Sequence, residues 1–243
     1  MKLSKLAIPL LLFLAGACSP QADERPTLRI VLSPSAHPVR AAVAACMQEF
    51  DNLTAIIEMR HPSVVDLTEI DFFVQLGEPE QQAGFAGHLA VERVVVILHP
   101  SNKMKLSRAY IADLFSGRVQ DWGALGGEEL AVNLWVGSDS DETRRAFETE
   151  MLLGSPVAGS AHLVTNPEKL LAAVAADPAA AGILPAAWVN ESVLAIETGI
   201  ELPVLALAAE EPSGAAREVL ACLQGEVGQA ALGELYAVLE PQK

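Results

Sequence analysis

Residues 106–127, LSRAYIADLFSGRVQDWGALGG, carry the densest set of structural signals in the chain. Ser107 favours a helix N-cap. Apolar residues then lie on one helical stripe, at Tyr110, Ile111, Leu114 and Phe115. Gly117 follows them and is typical of a helix that ends in the left-handed conformation. Turn residues surround Trp122, so the stretch predicts a short amphipathic helix and then a turn that holds a buried tryptophan.

Strands and helices alternate on both sides of this stretch. Short apolar or β-branched runs predict strands at 28–32, 54–59, 70–76, 89–98, 130–136, 162–164, 181–184, 193–196 and 204–208. Apolar spacing with helix-start signals predicts further helices at 38–50, 144–153, 167–174, 215–223 and 228–236. Such alternation is typical of an α/β fold.

A strand–turn–helix unit occurs twice, at 28–50 and again at 130–153, and both turns are rich in serine. At the second helix start, Asp139 and Glu142 have the spacing of a capping box. The repeated unit predicts two similar lobes whose strand-to-helix loops face a shared cleft. Helix N-termini carry partial positive charge and free N–H groups, so we expect this cleft to favour an anion.

Composition excludes several classes of function. The chain has 243 residues, 51% of them hydrophobic, which is enough for a sizeable core. Its formal net charge of -15 leaves no basic stripe for nucleic acid. The five histidines are scattered, and no HExxH pair, serine elbow or glycine-rich phosphate loop occurs. We therefore predict a protein that is not an enzyme and has no cofactor.

A metal site is not predicted either. The nearest approach to a set of oxygen ligands is the carboxylate group Asp139, Asp141 and Glu142. All three residues come from one loop, and no second segment supplies comparable ligands.

The first residues have the form of an export signal. Lys2 and Lys5 precede a short apolar run at 6–14, and small residues lead to Cys18. This pattern resembles a bacterial lipoprotein signal, which implies that residues 1–17 are removed and that Cys18 is lipidated. A plain secretory signal is the alternative. Residues 18–26 are polar and bounded by proline, so we expect a flexible tether. The predicted location is the cell envelope, with contact to the membrane through the lipid anchor alone.

Cys46 and Cys222 remain after removal of the signal. They lie in the first predicted helix and in one of the last. Outside the cytoplasm they can form a disulfide if those helices are adjacent, or they can be two buried thiols. Their spacing is not that of metal ligands.

The order of elements at 94–148 resembles the phosphate-binding proteins of bacterial ABC transporters, which have the type 2 periplasmic binding fold. Both have an apolar strand followed by a helix that starts at Leu-Ser and ends at Phe-Ser-Gly. A turn with tryptophan and a Gly-Gly pair come next. A second strand then leads into a helix, which has Thr143 and Arg144 at its start in this chain. Residues 166–189, NPEKLLAAVAADPAAAGILPAAWV, also resemble this family.

The resemblance implies two lobes, at 27–98 plus 205–243 and at 99–204, joined by a hinge of two crossover strands. It places the first and last helices in one lobe, which favours a bridge between Cys46 and Cys222. It also implies a monomer that binds a small molecule or an oxyanion, phosphate by family default, and that works with an ABC permease.

The predicted ligand-binding residues are Ser33, Ser35, Gly77, Ser138, Ser140, Thr143 and Arg144. The loops depart from the family at Glu78, Gly137, Asp141 and Glu142. These changes remove the arginine of the family pattern and put carboxylates near the site, where each would repel an anion by about 1 kcal/mol or more. The alternative for the polar residues is helix capping. The alternative for the whole chain is a degenerate binding fold that serves as an envelope scaffold, sensor or protein-interaction module.

Overall fold

A computed structural model describes residues 25–79 and 82–237. Its strands are β1 (Thr27–Leu32), β2 (Thr54–Met59), β3 (Phe72–Leu76), β4 (Phe85–Leu98), β5 (Asn133–Gly137), β6 (His162–Val164), β7 (Ala180–Pro185) and β8 (Leu194–Ala208). Its α-helices are α1 (Arg40–Met47), α2 (Arg108–Phe115), α3 (Glu142–Glu150), α4 (Pro167–Ala176), α5 (Gly214–Gln224) and α6 (Glu226–Gly233). The predicted signal and Cys18 lie outside the described residues.

The strands form one eight-stranded sheet in the order β2-β1-β3-β8-β4-β7-β5-β6. The two longest strands, β4 and β8, pair antiparallel in the middle. On one side β1 runs parallel to β2 and β3, and on the other β5 runs parallel to β6 and β7. The predicted two-lobed α/β architecture with two shared crossover strands is confirmed. The lobe boundaries given above stay a prediction.

The prediction of two separate strands near the end of the chain is wrong, because 194–208 is one continuous strand. Gly199, which has φ of +75°, lies in an irregularity of the pairing with β4 rather than in a break. The Thr198 hydroxyl donates to the Val94 carbonyl at 2.5 Å and accepts from the Ile200 amide at 3.2 Å. This side chain satisfies backbone groups that the irregularity would otherwise leave unpaired.

The stretch 106–127 forms the helix and turn that its sequence predicts. The Ser107 hydroxyl accepts from the Tyr110 amide at 3.3 Å, and Gly117 has φ of +76°. Trp122 is buried, and its indole N–H donates to the Ala179 carbonyl at 2.9 Å. Tyr110 is 45% exposed, so only the rest of the predicted stripe packs into the core.

This stretch also supports the neighbouring helix α3. The rings of Phe115, in α2, and Phe147, in α3, meet edge to face with centroids 5.0 Å apart. Both side chains are fully buried. The position of α3, whose N-terminus faces the other lobe, therefore depends on packing against the stretch 106–127.

In the lobe that contains β1, the helices α1, α5 and α6 pack on one another. Cys46 of α1 and Cys222 of α5 form a disulfide across 176 residues of sequence, with Cα atoms 5.8 Å apart. Of the two alternatives left by the sequence, the structure contains the bridge. Within 25–79 and 82–237, no helix combines the length and the apolar character needed to cross a membrane.

Candidate functional site: the cleft between the lobes

Two strand-to-helix loops meet in the cleft, as the repeated unit predicts. The first follows β1 and carries Ser33 and Ser35, both fully buried. The second follows β5 and leads into α3. The Ser35 hydroxyl donates to Oδ2 of Asp141 at 3.0 Å, which joins residues 106 positions apart in the chain.

Asp141 is the N-cap of α3. Its Oδ1 accepts from the Arg144 amide at 2.9 Å. The predicted capping box with Asp139 is wrong because the helix begins at Glu142, which moves the cap two residues along the chain. The side chain of Asp139 is 88% exposed and forms an ion pair with Arg144.

Glu142 turns its side chain into the protein and is only 4% exposed. Its Oε1 accepts from the Leu76 amide, at the end of β3, over a long 3.5 Å. The Ser33 hydroxyl lies near enough to this carboxylate to lower its pKa. Ser33 is held in place because its oxygen accepts from the Ala36 amide at 3.2 Å. The carboxylate therefore reaches from the second loop to two segments of the other lobe.

Both carboxyl groups have raised pKa values. The pKa of Glu142 is raised to about 7 because burial, and then the charge of Asp141, outweigh the Ser33 hydroxyl and the Leu76 amide, which lower it. Burial also raises the pKa of Asp141, against the hydrogen bonds from the Arg144 amide and Ser35. Two adjacent carboxyls in a desolvated site favour retention of a proton near neutral pH.

The other predicted ligand residues differ in whether their donors are already hydrogen-bonded. Thr143 is 1% exposed, and in the part of the chain that the structure describes its hydroxyl has no hydrogen-bond partner. The hydroxyls of Ser138 and Ser140 pair with each other at 3.1 Å. The Gly77 amide donates to the Pro203 carbonyl of the crossover strand β8 at 2.8 Å, so it is already paired with backbone.

The guanidinium of Arg144 is committed to its own lobe. Its Nε donates to Oε1 of Glu148 at 2.9 Å and its Nη1 to the Gly137 carbonyl at 3.2 Å. Glu78 is exposed, and together with Glu142 it lines an open surface pocket of about 320 Å³. Of the suspected carboxylates, Asp141 and Glu142 reach hydrogen-bond donors of the opposite lobe, whereas Glu78 lies at the surface.

The comparisons with known proteins agree with this fold. The model of the PBP superfamily domain matches residues 76–221, which is more than half of the chain. The chain belongs to the PBP superfamily. A comparison with curated proteins found no match.

Solved structures show the same PBP-like type 2 fold. A candidate phosphate ABC transporter substrate-binding protein with bound phosphate from Clostridium perfringens is 17% identical, with a TM-score of 0.80, over 88% of this chain and 100% of that chain. An ABC-type phosphate transport receptor from Vibrio cholerae is 19% identical, with a TM-score of 0.66, over 86% of this chain and 100% of that chain. A reduced form of OxyR from N. meningitidis is 12% identical, with a TM-score of 0.65, over 88% and 99% of the two chains.

A second contact between the lobes of this PBP-superfamily chain was not predicted. The indole N–H of Trp188 donates to the Ser35 carbonyl at 3.1 Å, and its ring stacks on His37 with centroids 5.8 Å apart. Burial and the charge of Arg40 lower the pKa of His37, so it tends to be neutral in this stack. The only sequence signal was an aromatic residue shortly after a proline turn.

Glu92 is a buried carboxyl in the middle of β4, 1% exposed, that sequence reasoning also missed. Its Oε1 accepts from the amides of Arg93 at 2.8 Å and Ala187 at 3.4 Å. Burial raises its pKa to about 7. The charge in an otherwise apolar run was the available signal. Among the described residues, no group of three His, Cys, Asp or Glu side chains is placed to hold a metal ion.

Proposed function

We propose that this chain is a solute-binding lipoprotein of the cell envelope that holds a small ligand between its two lobes. The observation that carries the proposal is the convergence of donors from both lobes on carboxylate oxygens in the cleft. These donors are the Ser35 hydroxyl and the amides of Leu76 and Arg144, and the Ser33 hydroxyl lies near Glu142.

Donors of this kind suit a ligand with oxygen acceptors. The start of α3 adds partial positive charge, and the Thr143 hydroxyl lies beside Glu142 without a partner among the described residues. An oxyanion is therefore the ligand class that we propose. The C. perfringens neighbour was solved with bound phosphate, which supports this choice for the shared fold.

The envelope location and the lipid anchor at Cys18 rest on the form of residues 1–18, and an ABC permease is the proposed partner. We expect a monomer that acts by closure of the lobes and catalyses no reaction. In the described cleft, Ser33 and Ser35 pair with carboxylates and backbone rather than with a histidine base, which supports binding over catalysis.

Thermal unfolding with phosphate, sulfate, molybdate and small polar solutes tests this proposal. A ligand present at 100 times its Kd should stabilise the protein by about 2.7 kcal/mol. The variant Ser35→Ala, which loses a cleft donor, should respond less, and Ser101→Ala, at an exposed turn remote from this loop, should respond like the wild type. No stabilisation by any of these solutes would overturn the solute-binding proposal.

One observation favours a second function: Asp141 and Glu142 already accept the hydrogen bonds of the cleft donors, so these donors need no external ligand. In this alternative the chain is an envelope scaffold or sensor whose lobes stay closed without a ligand. Spin labels on the two lobes would measure the distance between them with and without each solute. An unchanged distance under every condition supports the alternative, whereas closure on addition of one solute contradicts it.

A further inference from the structure

We propose that Asp141 and Glu142 form a built-in ligand of the cleft, whose carboxylates accept the hydrogen bonds that an external oxyanion would accept. The proposal rests on the solute-binding function above. It adds that an oxyanion must compete with part of the same chain for its site.

The donors that hold the two carboxylates come from separate parts of the fold. Ser35 bonds Asp141 at 3.0 Å, the amide of Leu76 bonds Glu142 at 3.5 Å, and the Ser33 hydroxyl lies near Glu142. Ser33 and Ser35 follow β1, Leu76 ends β3, and the carboxylates begin α3. Donors that converge on one point from several segments are the arrangement by which a cleft binds a ligand.

The space around Asp141 is shaped for its side chain. A Cβ atom built on Gly137 would lie 2.6 Å from both Cβ and Cγ of Asp141. Real Cβ atoms essentially never approach so closely, so a side chain at 137 and the carboxylate at 141 exclude each other in this conformation. The position of the Asp141 side chain therefore requires glycine at 137.

The guanidinium of Arg144, the residue whose amide caps onto Asp141, forms its contacts elsewhere. Arg144 uses its guanidinium on Glu148, Asp139 and the Gly137 carbonyl, all on its own side of the cleft. An entering oxyanion would meet, at short range in a desolvated site, the negative charge that the pair keeps when it shares one proton, and like charges repel there. Both the occupied donors and this repulsion oppose external anions.

Isothermal titration with inorganic phosphate and with sulfate tests the proposal on the full mature chain. The double variant Asp141→Ser plus Glu142→Gly removes both carboxylates and leaves Ser33, Ser35 and the Leu76 amide in place. We expect it to bind at least one of the two anions at least about tenfold more tightly than the wild type. The control Asp139→Ser removes an exposed carboxylate of the same loop and should leave affinity within about twofold.

The single variant Glu142→Gln provides a second test in case the double variant does not fold. It keeps the size of the side chain and an oxygen for the Leu76 amide while it removes the charge. Circular dichroism checks that each variant is folded. If the double variant does not fold, Glu142→Gln should still bind phosphate or sulfate about threefold or more tightly than Asp139→Ser, and equal affinities overturn the proposal.

The outcomes separate the two proposals. A wild type that binds an anion as tightly as the double variant overturns the built-in ligand and leaves the solute-binding function standing. A double variant that binds while the wild type responds to no solute supports the built-in ligand and overturns the solute-binding function. If neither binds any solute, both proposals fail.

Discussion

Glu142 should make the protein more stable in mild acid than in mild base. Its pKa is about 7 in the folded protein, against an ordinary value of 4.5 for a glutamate in water. A folded-state pKa above the unfolded value means that the folded state binds the proton more tightly. This stabilisation is fully present below pH 4.5 and is lost as the pH rises through about 7.

The size of the effect follows from the same shift. A rise from 4.5 to about 7, at 1.36 kcal/mol per pKa unit, corresponds to about 3 kcal/mol. Most of this difference falls between pH 5 and pH 8. Glu92, with its pKa also raised to about 7, adds a contribution of the same sign. His37, with its lowered pKa, contributes with the opposite sign and is present in every variant compared.

Urea unfolding of wild type, Glu142→Gln and Glu92→Gln at pH 5 and pH 8 separates these contributions. We expect the free energy of unfolding of the wild type to fall as the pH rises. In Glu142→Gln about 2.5 kcal/mol of that fall, the part of the effect between pH 5 and pH 8, should be absent because the amide does not titrate. Glu92→Gln is the matched control for a buried carboxyl outside the cleft loops. If Glu142→Gln keeps the full pH dependence of the wild type, burial does not raise the pKa of Glu142 in the folded protein.

Three further predictions concern stability. Replacement of Cys46 and Cys222 by serine should lower the free energy of unfolding by about 2–5 kcal/mol, read from urea curves, and a loss below about 0.5 kcal/mol would contradict the bridge. Trp122→Phe should lower the thermal midpoint, because the Ala179 carbonyl keeps the Asn133 amide but loses the indole donor, at a cost of about 0.5–1.5 kcal/mol. An unchanged midpoint would argue against the bond from the indole. Gly137→Ala should lower the free energy of unfolding by about 1–3 kcal/mol in the wild type and clearly less in a chain that also carries Asp141→Gly. Equal losses in both backgrounds would show that the two positions are not coupled.

Local sequence was informative wherever a signal acts over a few residues. The cap at Ser107, the left-handed Gly117 and the turn around Trp122 all depend on neighbours in the chain, and all appear as predicted. The repeated strand–turn–helix unit likewise predicted that two loops meet. It could not predict the start of α3, since Asp139 and Asp141 are both good cap residues and tertiary packing selects between them.

Contacts between distant segments could not be predicted in the same way. The indole of Trp188 reaches Ser35, and the carboxyl of Glu92 reaches the Ala187 amide, only when distant segments of the chain pack together. The continuous strand 194–208 was missed because Thr198 bonds the Val94 carbonyl, 104 positions away in the chain. Such bonds leave no periodic pattern in the sequence.

The sequence by itself determined the alternation of strands and helices, the helix and tryptophan turn at 106–127, and the presence of acidic residues in the loop before α3. These features follow from propensity, apolar period and capping, which act locally. Only the tertiary structure decided where the acidic side chains go. It turns Asp139 to solvent and places Asp141 and Glu142 against donors of the opposite lobe. The physical reason is that α3 begins at Glu142, that Gly137 leaves room for the side chain of Asp141, and that the ends of β1 and β3 meet the start of α3.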